Sequence, residues 1–154
     1  MVAQSQSLDR IEKQLLLRAP RSRVWRALTQ AEEFGSWFGV QLEGPFAPHS
    51  KLAGRITTQG YEHLRFELEV QEIQPESYFA YRWHPYAVDP NVDYSGEPTT
   101  LVEFRLEEVP GGTQLYVTES GFEGIPLARR AEAWRMNDGG WAAQLENITR
   151  HVSA

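Results

Sequence analysis

Two carboxylates occupy positions where the surrounding pattern calls for apolar side chains. Glu119 continues the inward alternation of Leu115 and Val117 along a predicted strand, and Asp138 lies on the apolar side of a predicted C-terminal helix. A buried carboxylate is costly unless it is paired or protonated, and burial raises its pKa. Groups perturbed in this way are candidates for acid–base chemistry. We therefore take Glu119 and Asp138 as candidate catalytic residues, with His84, at the end of another strand, as a third.

Each candidate also has a simpler interpretation, which we favour. Glu119 stands near the end of its strand, where the chain can already face solvent, and His84 lies in the same kind of position. Asp138 precedes Gly139–Gly140, and glycine costs a helix about 1 kcal/mol relative to alanine, so the helix can end there. The glycine pair is either a hinge or a place of close approach between helix and sheet, and we favour close approach. Lys13, a cation at an apolar position of the first strand, can extend its amine to solvent.

The helix that would carry Asp138 is predicted from one apolar stripe near the C-terminus. Its members recur at steps of four and three, which matches the helical turn. The eight members of the stripe are Leu127, Ala131, Trp134, Asp138, Trp141, Leu145, Ile148 and Val152. A helix of this length needs a large apolar surface to cover it. One long helix across a curved sheet tends to enclose a cavity.

The chain before this helix reads mostly as strands. Strict alternation of apolar and polar residues is clearest at 64–70, 79–83 and 102–107, and weaker strands are predicted at 11–19, 40–43, 52–59 and 115–117. Such alternation is typical of an antiparallel sheet with one covered face. Pro20 and the apolar residues after it predict two short helices behind the first strand. The fold class is therefore α+β.

Aromatic residues dominate the predicted inward face. By parity, Phe66, Tyr81, Trp83 and Phe104 face the C-terminal helix. Large rings suit a core and equally suit the wall of a pocket for an apolar or ring-shaped ligand. The eight residues that we take as candidate ligand-binding residues are Trp37, Phe38, Phe66, Tyr81, Trp83, Phe104, Trp134 and Trp141.

Composition removes several classes of function. The formal charge of −6 disfavours nucleic acid, whose phosphates attract basic surfaces, and the absence of cysteine excludes disulfides and thiol chemistry. The four histidines lack metal-ligand spacing, so we expect no metal and no cofactor. There is no secretory signal and no apolar run long enough for a membrane span, and we expect a cytoplasmic protein. We predict a disordered tail at 1–9 and a single domain at 10–154.

Several segments together resemble one known family. They are LLLRAPRSRVWRALTQAEEFGSWF, YFAYRWHP, TTLVEFRLEEVPGGTQLYVTESGF and the late GGW, in order and spacing from about Ile11 to Val152. The chain resembles the activator-of-Hsp-ATPase-homologue type within the START-related, polyketide-cyclase-like superfamily. The resemblance implies a helix-grip fold, in which a six- or seven-stranded antiparallel sheet wraps around a long C-terminal helix with a cavity between them.

The resemblance implies less about activity, because the superfamily includes lipid carriers, aromatic polyketide cyclases, hormone receptors and chaperone-associated domains. Our leading hypothesis is a non-enzymatic protein that holds a small apolar or aromatic molecule under the final helix. An enzyme of cyclase, dehydratase or hydrolase character, and a chaperone-linked protein-interaction module, are the alternatives. A protein partner stays open, and the sequence does not define an oligomeric state.

Overall fold

The computed structural model describes residues 9–43, 45–60, 62, 64–85, 91, 93–94 and 96–153. Of the predicted tail, only Asp9 lies within the described residues. The strands are β1 (Arg10–Leu17), β2 (Val40–Leu42), β3 (Lys51–Ile56), β4 (Arg65–Gln74), β5 (Tyr78–Trp83), β6 (Thr100–Val109) and β7 (Gly112–Ser120). The helices are α1 (Arg21–Thr29), α2 (Ala31–Phe38) and α3 (Leu127–Ser153), and a 3₁₀ turn spans Phe122–Gly124.

All seven strands form one antiparallel sheet in the order β1-β7-β6-β5-β4-β3-β2. The first two strands therefore lie at opposite edges, and α1 and α2 make the connection between them. Alternation fixes the covered face, because side chains on β7 are buried at every second position. The predicted α+β helix-grip architecture is confirmed.

The two short helices are tied to each other and to α3 by side chains that bond backbone carbonyls. The Trp37 indole N–H donates to the Ala27 carbonyl at 2.7 Å, which joins α2 to α1. The Gln144 amide donates to the Phe38 carbonyl at 2.8 Å, which joins α3 to α2. A glycine is required at Gly35, because a Cβ there would lie 2.1 Å from the backbone oxygen of Val40.

The long helix forms as predicted, but its buried side differs from the predicted stripe. The buried residues of α3 are Ala133, Trp141, Ile148 and Val152. Leu127 is 78% exposed, so its predicted inward position is wrong. A stripe with a strict seven-residue repeat drifts by about 20° per heptad around a straight helix, so its first members turn away from the sheet.

The glycine pair in α3 neither ends the helix nor permits close packing. α3 runs unbroken through Gly139 and Gly140, both of which are exposed. A Cβ added at either position would meet no atom within 4 Å. The expectation of close approach between helix and sheet at this point is therefore wrong.

Candidate functional site

Glu119 is at the centre of a hydrogen-bond network that joins three strands to α3. Its side chain is fully buried. One carboxylate oxygen accepts the Trp141 indole N–H at 2.8 Å, and the other accepts the Trp83 indole N–H at 2.7 Å. The Thr100 hydroxyl donates at 2.5 Å, and the Asn137 amide lies 3.1 and 3.0 Å from the two oxygens. We call these five residues the Glu119 network.

Every partner of Glu119 in this network is electrically neutral. Indole N–H groups can only donate, so both oxygens act as acceptors, which suits the carboxylate form. Burial nevertheless raises the pKa of Glu119, and the hydrogen bonds from Thr100, Trp83, Trp141 and Asn137 only partly offset that effect. The network therefore holds a carboxyl group whose negative charge is stabilised by dipoles and hydrogen bonds alone.

Aromatic rings surround the network on the side toward α2 and β4. They meet edge to face, stacked or tilted, at centroid distances between 4.8 and 6.5 Å. We call them the aromatic cluster; its members are Phe34, Trp37, Phe38, Phe46, Phe66, Phe79, Tyr81, Trp83, Phe104 and Trp141. Seven of the eight candidate ligand-binding residues thus lie in one connected group.

The rings of the cluster occupy the space between the sheet and α3 by contacting one another. Phe38 lies within 6.1 Å of Trp141, 5.8 Å of Trp83 and 5.3 Å of Phe66, measured between ring centroids. Trp83 and Trp141, which both bond Glu119, are 5.9 Å apart. Within the part of the chain that the structure describes, these rings therefore pack together under α3 beside one buried carboxyl group.

Trp134, the eighth candidate, lies apart from this cluster. It is half-buried, and its indole N–H donates to the Arg10 carbonyl at 2.9 Å, at the start of β1. Trp134 nevertheless packs against the hydrophobic core as a partly buried side chain. Its role in ligand binding stays a prediction.

Asp138 and Lys13 form an ion pair with each other. The Lys13 amine lies 3.0 Å from the Asp138 carboxylate, and their side chains are 24% and 37% exposed. Asp138 is thus not a buried carboxylate, although α3 does not end beside it as the simpler interpretation supposed. The pair joins the first strand to α3 beside the Glu119 network.

His84 follows β5 and is bonded to the segment before β6 rather than to the Glu119 network. One ring nitrogen lies 3.0 Å from the carbonyl oxygen of Glu97, and the Glu97 side chain contacts Arg129 at 2.5 Å. Arg129 also lies over the Tyr94 ring, at 5.0 Å from its centroid. Glu119, Asp138 and His84 are therefore each bonded to different partners.

A second carboxylate fastens the far end of α3. Glu33 on α2 contacts Arg23 at 2.5 Å and His151 at 3.0 Å, and Arg23 also donates to the His151 carbonyl at 3.3 Å. Burial acts to raise the pKa of Glu33, but the hydrogen bonds and charges of His151 and Arg23 outweigh it, so the pKa is lowered. Glu33, Arg23 and His151 together connect α1 and α2 to the last turns of α3.

Five members of the site were missed as candidate residues, namely Asn137, Thr100, Phe34, Phe46 and Phe79. Asn137 and Thr100 are polar, so an apolar pattern does not select them, although Thr100 has the inward parity of β6. A buried carboxylate needs donors, and Asn137, one turn before Trp141, was a donor within reach. Phe34 lies in a short helix, where eight residues are too few to define a buried side.

Other features of the described chain lie outside this region. An open groove of about 630 Å³ is at the β2–β3–β4 edge, with the lining residues Gln41, Glu43, Ala53, Gly54, Arg55, Glu62, Leu64 and Arg65. None of these belongs to the aromatic cluster or the Glu119 network. Among the described residues, no group of three or more His, Asp or Glu could hold a metal ion, and no helix is long and apolar enough to cross a membrane.

An antiparallel sheet that grips a long terminal helix, with two short helices after the first strand, defines the helix-grip class. Residues 18–153 match the family described as Activator of Hsp90 ATPase homolog 1-like protein. The chain belongs to that family, and the sequence resemblance is confirmed. No curated protein is significantly similar to the chain.

Solved structures of bacterial proteins share the fold. Protein MLL2253 from Mesorhizobium loti is 22% identical with a TM-score of 0.74, over 94% of this chain and 96% of that one. Protein NE0264 from Nitrosomonas europaea is 16% identical with a TM-score of 0.74, over 98% of both chains. The Aha1 dimer from Colwellia psychrerythraea is 17% identical with a TM-score of 0.69, over 93% of this chain and 95% of that one. Identities this low establish similarity of fold only.

Proposed function

We propose that this protein binds a small apolar or aromatic molecule between the sheet and α3 and carries out no chemistry on it. The observation that carries the proposal is the aromatic cluster, whose rings enclose a single buried carboxyl group. Binding sites for such ligands are lined mainly by apolar and aromatic side chains with a few polar groups. The family and its fold are consistent with that role.

A planar ligand can enter this region at low cost in contacts. The rings meet edge to face, stacked or tilted. A ligand ring that separates two of them would replace one ring–ring contact with two ring–ligand contacts. Entry requires side chains or α3 to move, because Phe38 contacts Phe66, Trp83 and Trp141 directly. Phe38 is only half-buried, so this part of the cluster can be reached from the surface of the protein.

The same geometry favours binding over catalysis. A general acid or base must reach a reacting atom of the substrate, directly or through one water. The Glu119 oxygens already accept hydrogen bonds from four side chains, and Asp138 and His84 are engaged by Lys13 and by the Glu97 carbonyl. We therefore assign Glu119 the role of holding the two indoles and α3 in place.

A role as a protein-interaction module has less support from the surface. Among the described residues, the large hydrophobic side chains that are exposed are Leu16, Leu127 and Met136. Leu16 lies on β1, and the other two are nine residues apart on α3, about 13 Å along the helix. Interaction sites usually expose a contiguous apolar patch.

The proposal is tested by titrating a panel of fatty acids and flavonoids, with native mass spectrometry and intrinsic tryptophan fluorescence as readouts. Phe38→Ala removes the ring at the centre of the cluster, and Trp134→Ala removes a half-buried aromatic outside it. We expect saturable binding by the wild type and Trp134→Ala, and binding weaker by about tenfold in Phe38→Ala, as for a central contact residue. Absence of saturable binding across the panel, or unchanged affinity in a folded Phe38→Ala variant, would contradict the proposal.

A further inference from the structure

The Tyr81 hydroxyl is a buried polar group without a hydrogen-bond partner among the described residues. Tyr81 lies in the middle of β5 and is fully buried. Hydroxyl groups removed from water without a partner cost free energy, and most buried tyrosines find one. An unpaired hydroxyl in the interior therefore needs an explanation.

Glu119 does not supply the missing partner, although the two residues share a row of the sheet. Tyr81 pairs with Val102, and Val102 pairs with Glu119, so the two backbones are two strands or about 10 Å apart. The Glu119 oxygens are already approached by the donors of its network. Burial, and then the Glu119 charge, raise the pKa of Tyr81, so its hydroxyl keeps its proton and remains a donor.

The ring of Tyr81 is surrounded by other rings. Trp83 lies 5.4 Å away, Phe79 5.8 Å, Phe104 6.1 Å and Phe34 6.2 Å, all measured between ring centroids. A buried water needs about 2–4 polar partners, and aromatic carbon offers none. A ligand that brings one acceptor on an otherwise apolar body matches these surroundings better.

We infer that the Tyr81 hydroxyl is the polar anchor of the binding site, and that the site takes an apolar ring compound bearing one hydrogen-bond acceptor, such as an aryl ketone. This inference rests on the proposed function, because it concerns the same region under α3. The cluster supplies contact with the apolar body of the ligand, and Tyr81 fixes its orientation. Compounds of the same shape without the acceptor leave the hydroxyl unpaired.

Calorimetric titration with two probes of matched shape tests this inference. The probes are 2-acetylnaphthalene, which carries a ketone, and 2-isopropenylnaphthalene, which has a methylene group in place of the oxygen. In the wild type we expect the ketone to bind about tenfold more tightly, the value of one buried hydrogen bond. In Tyr81→Phe the preference disappears while the hydrocarbon keeps its affinity.

Tyr78→Phe is the matched control, since Tyr78 is on the same strand and its hydroxyl donates to Glu103 at 2.5 Å, away from the cluster. It should preserve the ketone preference. If both probes bind the wild type equally, or if the preference survives in Tyr81→Phe, the anchor role is overturned while binding itself stands. If neither probe binds, the proposed function fails for ligands of this class and the inference fails with it.

Thermal unfolding of the ligand-free variants gives a second test that does not require a probe. Removing a hydroxyl that has no partner should leave the melting temperature of Tyr81→Phe at or above that of the wild type. A melting temperature lower than that of the wild type would show that the hydroxyl is already paired in the free protein. That result would overturn the inference.

Discussion

Glu119 and Glu33 both fasten α3 to the rest of the molecule, but by opposite electrostatics. Glu119 is fully buried and bonded by neutral donors, and its pKa is raised. Glu33 is about one-quarter exposed and bonded by Arg23 and His151, and its pKa is lowered. Contact with α3 therefore does not by itself make a carboxylate a weaker or stronger acid. The charge of its partners and its contact with water decide the direction.

The largest expected effect comes from Glu119→Gln. The Gln amide turns one acceptor into a donor, and at least one indole N–H, from Trp83 or Trp141, then lacks an acceptor. Each buried donor that is left without an acceptor lowers the free energy of unfolding by about 1–3 kcal/mol. Urea denaturation should show a loss of free energy of unfolding of this size. A variant as stable as the wild type would show that the indoles do not depend on Glu119.

The pH dependence of stability should separate the two carboxylates by sign. Because the pKa of Glu119 is raised on folding, its favourable contribution is present below its ordinary value of 4.5 and is lost as pH rises through the raised value. Because the pKa of Glu33 is lowered, its contribution is present above 4.5 and is lost as pH falls through the lowered value. A tenfold change in proton affinity between the unfolded and the folded chain corresponds to about 1.4 kcal/mol of stability.

We define the deficit of a variant as the free energy of unfolding of the wild type minus that of the variant. Measured across pH 3–8, the deficits of the two variants should change with pH in opposite directions. The deficit of Glu119→Gln should shrink as pH rises, whereas the deficit of Glu33→Gln should grow. The measurement is a set of urea denaturation curves at fixed ionic strength. If the two deficits changed with pH in the same direction, the pKa values of Glu119 and Glu33 would not be shifted in opposite directions.

Stiffening the part of α3 that carries Asn137 and Trp141 should raise stability without altering the bonds of Glu119 or Glu33. Gly139→Ala or Gly140→Ala adds a methyl group that meets no atom, and alanine is about 1 kcal/mol better than glycine within a helix. The melting temperature should rise in each variant, and both pH slopes should stay as in the wild type. A fall in melting temperature would mean that the helix needs flexibility at this point to fold correctly.

The smallest expected effect is that of Glu33→Gln at neutral pH. Glu33 and its partners are partly exposed, and ion pairs of this kind contribute about 1 kcal/mol or less. Raising the salt concentration should reduce the deficit of this variant further, since exposed charges are screened. The deficit of Glu119→Gln should be nearly independent of salt, because its partners are neutral and buried.

The sequence predicted the sheet better than the helix that covers it. On β4, β6 and β7, alternation selected the buried residues correctly and placed Glu119 on the inward side. The interpretation that we favoured, in which Glu119 faces solvent near its strand end, was wrong, because the strand stays covered through that position. In α3 the apolar stripe misplaced Leu127, because hydrophobicity alone does not reveal how a long helix rotates across a twisted sheet. Near the network, the residues of α3 that the stripe left out are Ala133, which is small and buried, and Asn137, which is polar and bonds Glu119.

The hydrogen-bond partners of Glu119 and Glu33 were harder to predict from the sequence than the buried side of α3. Glu119 was recognised as unusual, but its four donors come from β5, β6 and α3, and only the tertiary structure brings them together. His151 and Glu33 are 118 residues apart, and nothing in their local sequences suggests that they meet. Spacing along the chain identifies which face a residue occupies, whereas its hydrogen-bond partner depends on distant segments.

The position of β1 beside β7 has a consequence for how the chain reaches its native state. Arg10 pairs with Ser120, and Leu17 pairs with Thr113, so the N-terminal strand has no sheet partner until more than a hundred residues of the chain exist. Closing so large a loop carries an entropic cost, and folds dominated by distant pairings form slowly. On the ribosome, the first strand would have to wait for the last one before the sheet could be completed.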